Sequence, residues 1–210
     1  RSPVAHAEIL SIDTTAAEAL PGVEAVATGE DFVSPFGVLP IARTEWPIAR
    51  DRVRYRGEPI AAVAAIDVKT AQKALDLIEF EYAELPAYFT ADEAIAEGVT
   101  PLHKKRRNNV ERHVEYDLGE VDKGFEDAIL ICEETYDCAE VCQVQTEPHA
   151  ALAAYDGERD ELTVHATTQV PYYVHLMLEQ TLGMPRSKIR VIKPHIGGGF
   201  GSRTECLHVE

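Results

Sequence analysis

The sequence predicts an α+β chain of two consecutive units, and three observations carry that expectation. Strand-like and helix-like apolar periods succeed one another inside residues 1–95. A polar, charge-dense stretch from 96 to 120 interrupts them. A second set of strand and helix signals then runs into Gly197-Gly198-Gly199-Phe200-Gly201. A length of 210 residues suits one large domain or two small ones.

In the first unit, residues 7–12 and 23–28 read as strands around a short helix at 16–20, with Pro21-Gly22 as the turn. Residues 60–66 form an apolar run entered through Gly57-Glu58-Pro59, which suits a strand buried on both faces. Asp67 is placed to cap a helix on which Ala71, Ala74, Leu75 and Ile78 share a face. Ile78, Phe80 and Tyr82 then alternate with Glu79, Glu81 and Glu84, a half-exposed strand that Leu85-Pro86 ends. Strand, helix and strand so close together predict a crossover or split unit around one sheet. Lys104-Lys105-Arg106-Arg107 is the one dense basic run; a nuclear signal and an anion patch are possible roles, and a solvated linker is the reading adopted.

In the second unit Leu162, Val164 and Ala166 alternate as a strand. Pro171 opens a helix that Gly183 closes, with Val174, Met177, Leu178 and Thr181 on one face. Residues 186–193 follow as a strand rich in β-branched Ile189, Val191 and Ile192.

Composition excludes several classes. Lys+Arg 20 against Asp+Glu 36 gives a net charge of −16, a field that repels a phosphate backbone, so no nucleic-acid partner is expected. No apolar run approaches the roughly 18–20 residues of a membrane span, and no apolar stretch follows Arg1-Ser2-Pro3 as a secretory signal would require. The spacing of Cys132, Cys138, Cys142 and Cys206 is not that of a zinc or iron–sulfur site. Reduced, partly buried thiols in a cytoplasmic protein are the expectation.

Four glycines in five positions after a strand can supply positive φ and open backbone amides to an anion. Ser202 breaks the dinucleotide fingerprint, and no lysine follows to make a P-loop. The plain alternative is a tight strand-to-helix turn, with a helix beginning at Thr204.

Motifs in order along essentially the whole chain then carry a resemblance. Ile196-Gly197-Gly198-Gly199-Phe200-Gly201, Thr168-Gln169-Val170-Pro171, Arg1-Ser2-Pro3-Val4-Ala5-His6-Ala7, Pro21-Gly22-Val23 and Asp51-Arg52-Val53-Arg54-Tyr55-Arg56-Gly57-Glu58-Pro59 are similar to motifs of one large subunit. It is that of the molybdenum hydroxylases, the xanthine dehydrogenase and aldehyde oxidase family. The resemblance implies an α/β hammerhead domain over 1–95, a linker over 96–120, and the first part of a molybdopterin-binding α+β domain over 121–210. Within the family the chain most resembles the molybdenum subunit of the 4-hydroxybenzoyl-CoA reductases. Pro35-Phe36-Gly37-Val38-Leu39-Pro40-Ile41-Ala42, Leu85-Pro86-Ala87-Tyr88 and Ile189-Arg190-Val191-Ile192-Lys193-Pro194 carry that likeness. Such enzymes remove the phenolic hydroxyl of 4-hydroxybenzoyl-CoA by two-electron reduction in anaerobic aromatic degradation.

The same resemblance implies a molybdopterin cytosine dinucleotide with molybdenum in the full-length parent. It implies FAD and iron–sulfur clusters on partner subunits, namely an FAD/iron–sulfur subunit and a [2Fe-2S] subunit. A low-potential donor such as ferredoxin and an aromatic acyl-CoA substrate complete the set. Gln169 is implied to lie beside the molybdenum, where a neutral amide can donate to a metal oxo group without adding charge. Phe200 and Gly201 are implied to offer backbone amides to the metal's apical ligand, with Gly198 and Gly199 leaving room. The bland alternatives are a helix-start glutamine bonding its own backbone and a core phenylalanine. No catalytic residue and no direct metal ligand is assigned within the chain.

Purine hydroxylases of the family carry a glutamate four residues after the loop phenylalanine. Thr204 stands there, and Glu205 would point about 100° away on a helix, which argues against xanthine. His149, His165 and His175 read as structural. Arg186, Lys188, Arg190, Lys193 and Arg203 gather near the loop in sequence, as an anion-binding rim or as plain strand-face charge. The resemblance implies a fragment that is inactive alone. The alternatives are another molybdenum hydroxylase acting on an aldehyde, carbon monoxide or an N-heterocycle, and a catalytically inert assembly or interaction module.

Overall fold

In a computed structural model, residues 1–37, 43–104, 106, 108–206 and 208–210 are described. Part of the Pro35-to-Ala42 motif (38–42), and Lys105 and Arg107 of the basic run, lie outside the described residues.

The first unit holds two small antiparallel sheets. β1 (Ala7–Asp13) is the centre of one, between β3 (Arg52–Val53) and β5 (Glu79–Glu84). β2 (Val23–Ala27) and β4 (Ala62–Ala65) make the other. The strand–helix–strand stretch therefore bridges two sheets and does not wrap one, because β4 finds its partner in β2 while β5 pairs with β1. Alternation does its work in β5: Phe80 and Tyr82 stack, ring centroids 5.0 Å apart, over a core of Ala7, Ala49, Val53 and Ile60. β4 departs from expectation. Its residues alternate between exposed and half-buried, since α1 (Thr15–Glu18) and α2 (Val68–Leu75) cover only part of the two-stranded ribbon. Asp67 caps α2 as its position suggested, accepting from the Thr70 N–H at 2.7 Å.

Two short helices, α3 (Ala91–Ile95) and α4 (Val121–Glu126), punctuate the polar middle of the chain. In the second unit β6 (Ala151–Asp156) pairs antiparallel with β7 (Glu161–Ala166), and β7 pairs parallel with β8 (Ile189–Ile192). The parallel pair requires a crossover, supplied by α5 (Pro171–Leu182). Gly183 closes α5 at φ 66°, and Val174, Met177, Leu178 and Thr181 face inward as their spacing requires. Phe36 leaves the first unit to enter this second core, and the Val33 N–H donates to the Thr181 carbonyl at 2.9 Å. The four cysteines are free; Cys132, Cys138 and Cys142 are exposed, not partly buried, and only Cys206 lies in the core. Burial, with Glu210, Glu45 and Glu205 nearby, pushes the Cys206 thiol up to about 12.

His6 ties the first unit together, its Nδ1 2.7 Å from the Pro86 carbonyl oxygen. Burial holds its imidazole below the ordinary range despite that bond, and the Arg52 and Arg54 cations add to the effect against Glu8. Burial also lowers His103 and His208. Histidines whose folded values are depressed contribute stability that is present above the unfolded value, about 6.5, and lost as pH falls through the folded one. Melting temperature is therefore expected to fall as pH drops below about 6.5. His6→Asn, which keeps a donor at the place of Nδ1 for Pro86, is expected to flatten that fall in thermal melts.

Candidate functional site

β8 delivers the chain to the glycine loop, and the loop ends in a tight turn. The Ser202 N–H and Oγ both donate to the Gly199 carbonyl at 2.9 Å. Phe200 (φ 47°) and Gly201 (φ 94°) occupy the two left-handed central positions, the signature of a type I′ turn. A single 3₁₀ turn follows over Ser202–Thr204, and Glu205 is already extended. The helix expected from Thr204 is thus absent among the described residues. Thr204 and Glu205 are therefore not related by a helical turn.

Only Gly201 of the loop glycines uses positive φ. The others matter for space. A Cβ on Gly197 would sit 3.2 Å from Glu147 Oε2, and one on Gly198 would sit 3.0 Å from the Phe200 ring. One on Gly199 would collide with Gln169 Oε1. The loop and the residue before α5 are therefore in contact, with Gly199 making room for the Gln169 side chain. Phe200 is 72% exposed, which removes it from the core. The Gln169 N–H donates to the Arg203 carbonyl at 2.8 Å, so the two segments are also bonded through backbone.

An unanticipated pair braces this arrangement. Arg203, fully buried, donates through Nη1 to Glu147 Oε2 at 2.6 Å and through Nη2 to the Glu147 and Pro148 carbonyls at 2.5 and 3.3 Å. The same Glu147 oxygen accepts the Gly197 N–H at 2.7 Å. That amide bond first, and the guanidinium second, hold the Glu147 carboxyl below its ordinary range. The Thr168 hydroxyl donates to the Arg203 carbonyl at 3.2 Å. One arginine thus fixes both ends of the loop and the start of α5.

The basic rim suggested by sequence does not assemble as such. Arg203 turns inward, Arg186 pairs with Glu179, and Lys188 donates to the Arg159 carbonyl. His149 meets Gln145 at 2.7 Å and His175 the Arg186 carbonyl at 2.9 Å, both structural contacts as expected.

The amides of Gly198, Gly199, Phe200 and Gly201 donate to no acceptor among the described residues. Consecutive free N–H groups beside a neutral carboxamide fit an oxygen-rich anionic group or a metal-bound oxygen, because they donate without a full counter-charge.

Residues 102–210 match the molybdopterin cofactor-binding domain, and residues 1–86 match the aldehyde oxidase and xanthine dehydrogenase a/b hammerhead domain. The chain is 37% identical to the nicotinate dehydrogenase large molybdopterin subunit of Eubacterium barkeri, over 98% of this chain and 48% of that one. It is 33% identical to a probable hypoxanthine oxidase of Escherichia coli, over 99% of this chain and 26% of that one. Among solved structures, quinoline 2-oxidoreductase from Pseudomonas putida 86 superposes with a TM-score of 0.85 at 31% identity, covering 99% of this chain and 27% of that one. The chain therefore spans between about a quarter and a half of the length of these relatives.

Proposed function

We infer function from family membership: the chain belongs to the molybdenum hydroxylase family, that of xanthine dehydrogenase, aldehyde oxidase and the carbon monoxide dehydrogenase large subunit. We propose that it forms part of the molybdenum-cofactor subunit of an oxidoreductase. The observation that carries this reading is the contact of Gln169 with Gly199 beside four free loop amides. Gln169, Gly198, Gly199, Phe200 and Gly201 would hold the cofactor, which supplies two-electron redox chemistry at the metal when bound. Gln169 would offer its carboxamide as a neutral donor to the cofactor, and the loop amides would donate to its anionic groups. The Gly199 cradle keeps that carboxamide in place without adding charge.

The domain plan we propose is a hammerhead over 1–95, a linker over 96–120 and the opening of the molybdopterin-binding domain from 121. We further propose the cytosine dinucleotide form of the cofactor and partner subunits carrying FAD and iron–sulfur clusters. Cytoplasmic residence is supported by cysteines that are free and not paired with one another.

For the substrate, the motifs of the notional reductase support reductive dehydroxylation of 4-hydroxybenzoyl-CoA, with electrons from a low-potential donor such as ferredoxin. A second reading, hydroxylation of an N-heterocycle, is supported by likeness to proteins named nicotinate dehydrogenase, nicotine 6-hydroxylase and quinoline 2-oxidoreductase. Purified holoenzyme assayed with 4-hydroxybenzoyl-CoA and reduced viologen, and with nicotinate and quinoline under an oxidising dye, separates them. Benzoyl-CoA formation is the expected result of the first. Turnover of heterocycles alone would overturn it in favour of the second, and holoenzyme without molybdenum would overturn both.

A further inference from the structure

A second feature lies in the first unit, away from the glycine loop. A cavity of about 730 Å³ opens beside Trp46, within the range of small-ligand sites. Five cations line it: Arg43, Arg50, Arg54, Lys104 and Arg106. Only two carboxylates, Glu30 and Asp51, share the lining, although the chain as a whole carries −16.

Counted with their partners, six cations (these five and Arg52) face five carboxylates, so one positive charge is in excess. Asp51 is divided between Arg54 at 3.3 Å and Lys104 at 3.6 Å. Glu8, outside the cavity, is divided between Lys104 at 3.7 Å and Arg52 at 2.9 Å. Glu58 reaches Arg54 at 3.9 Å, Arg50 holds Glu30 at 2.7 Å, and Arg106 holds Glu111 at 2.5 Å. Arg54 is also built in. Its side chain is 15% exposed, its Nη1 is spent on the Arg52 carbonyl, and its Nε is buried with no partner among the described residues. His103, in the same lining, is lowered first by burial and then by Arg54, against Glu111.

We propose that this cavity binds a phosphate-bearing anion, a diphosphate group held by Arg43, Arg54 and Lys104 beside Trp46. Arginine forks match phosphate oxygens, and a lining of five cations to two carboxylates suits a phosphate-bearing group better than a single carboxylate. Most of the existing ion pairs are partly solvated, so exchanging one for a stronger anion costs little. The diphosphate could be free or part of a nucleotide-type molecule. On this account the basic run at 104–107 is, through Lys104 and Arg106, the wall of an anion site and more than a solvated linker. The proposal does not depend on the molybdenum reading.

Trp46 is the chain's single tryptophan, so its fluorescence reports the cavity directly. The 210-residue chain would be titrated at constant ionic strength with pyrophosphate, with adenosine diphosphate, and with sodium chloride as control. A saturable change with pyrophosphate, absent with chloride, is expected. Arg43→Ala and Lys104→Ala, each checked for native circular dichroism, are expected to weaken it about tenfold or more. Tighter binding of adenosine diphosphate would identify a nucleotide-type source, and equal binding free diphosphate. A change that does not saturate, that chloride reproduces, or that both folded variants retain unweakened would overturn the proposal.

Discussion

Gly29→Ala is expected to unfold the first unit or leave it barely stable. A Cβ at this position would lie 2.5 Å from the Ala49 carbonyl oxygen, 2.6 Å from Arg50 Cα and 2.8 Å from the Ala49 carbonyl carbon. All three are backbone atoms, so no rotamer change relieves the clash. Ala49 cannot retreat either, because its N–H is bonded to the Pro59 carbonyl at 2.8 Å and its side chain belongs to the core. Overpacking that must move backbone costs at the upper end of the usual range, about 3 kcal/mol or more. Urea denaturation of the variant against the wild type reads this loss. Gly57→Ala is the control: nothing lies within 4 Å of its added Cβ, and its cost is confined to the strain of φ 92°.

Arg203→Met is expected to have the next largest effect, on stability and on the loop together. The variant keeps the buried volume but leaves the Glu147 and Pro148 carbonyls without the donor that now serves them. Hydrogen bonds from a charged donor contribute about 1.5–3 kcal/mol each, so a loss of about 3 kcal/mol is expected in denaturant melts. Glu147 would still accept from Gly197 but would no longer be tied to the start of the 3₁₀ turn. Faster hydrogen exchange at the Gly197 amide is the accompanying expectation. Arg203→Lys restores the charge without the fork and should recover only part of the stability.

Local chemistry made much of the fold legible. Asp67 before a helical stripe, Pro171 at a first helical turn and Gly183 at its end each act within one turn of chain, and each appears where its residue type demands. The division into two small sheets was hidden because it depends on partners distant in sequence: β1 pairs with β5, and β2 with β4. β6 went unread for another reason. Ala151-Leu152-Ala153-Ala154-Tyr155-Asp156 is rich in alanine, a poor strand former, and all six residues are exposed.

The site divides in the same way. Family motifs singled out Gln169 and the glycine loop, and the fold brings them together. The brace between Glu147 and Arg203 gave no comparable signal, since 56 residues separate the partners and nothing in either neighbourhood announces a buried guanidinium. His149, two residues from Glu147, was the more conspicuous side chain, yet the glutamate is the one that touches the loop. Of the loop glycines Gly201 alone uses positive φ, whereas Gly197, Gly198 and Gly199 stand where a Cβ would crowd Glu147, Phe200 and Gln169.

The central claim is that Gln169 and the loop touch the molybdenum cofactor, and Gly199→Ala in the holoenzyme tests it most directly. The new Cβ would displace only the flexible end of Gln169, at Oε1, so thermal stability should change by less than about 1 kcal/mol. The measurement is the Mo(V) electron paramagnetic resonance spectrum of the variant, alongside its melting temperature. A shifted spectrum in a protein of native melting temperature is the predicted result. A spectrum superimposable on that of the wild type would contradict the account.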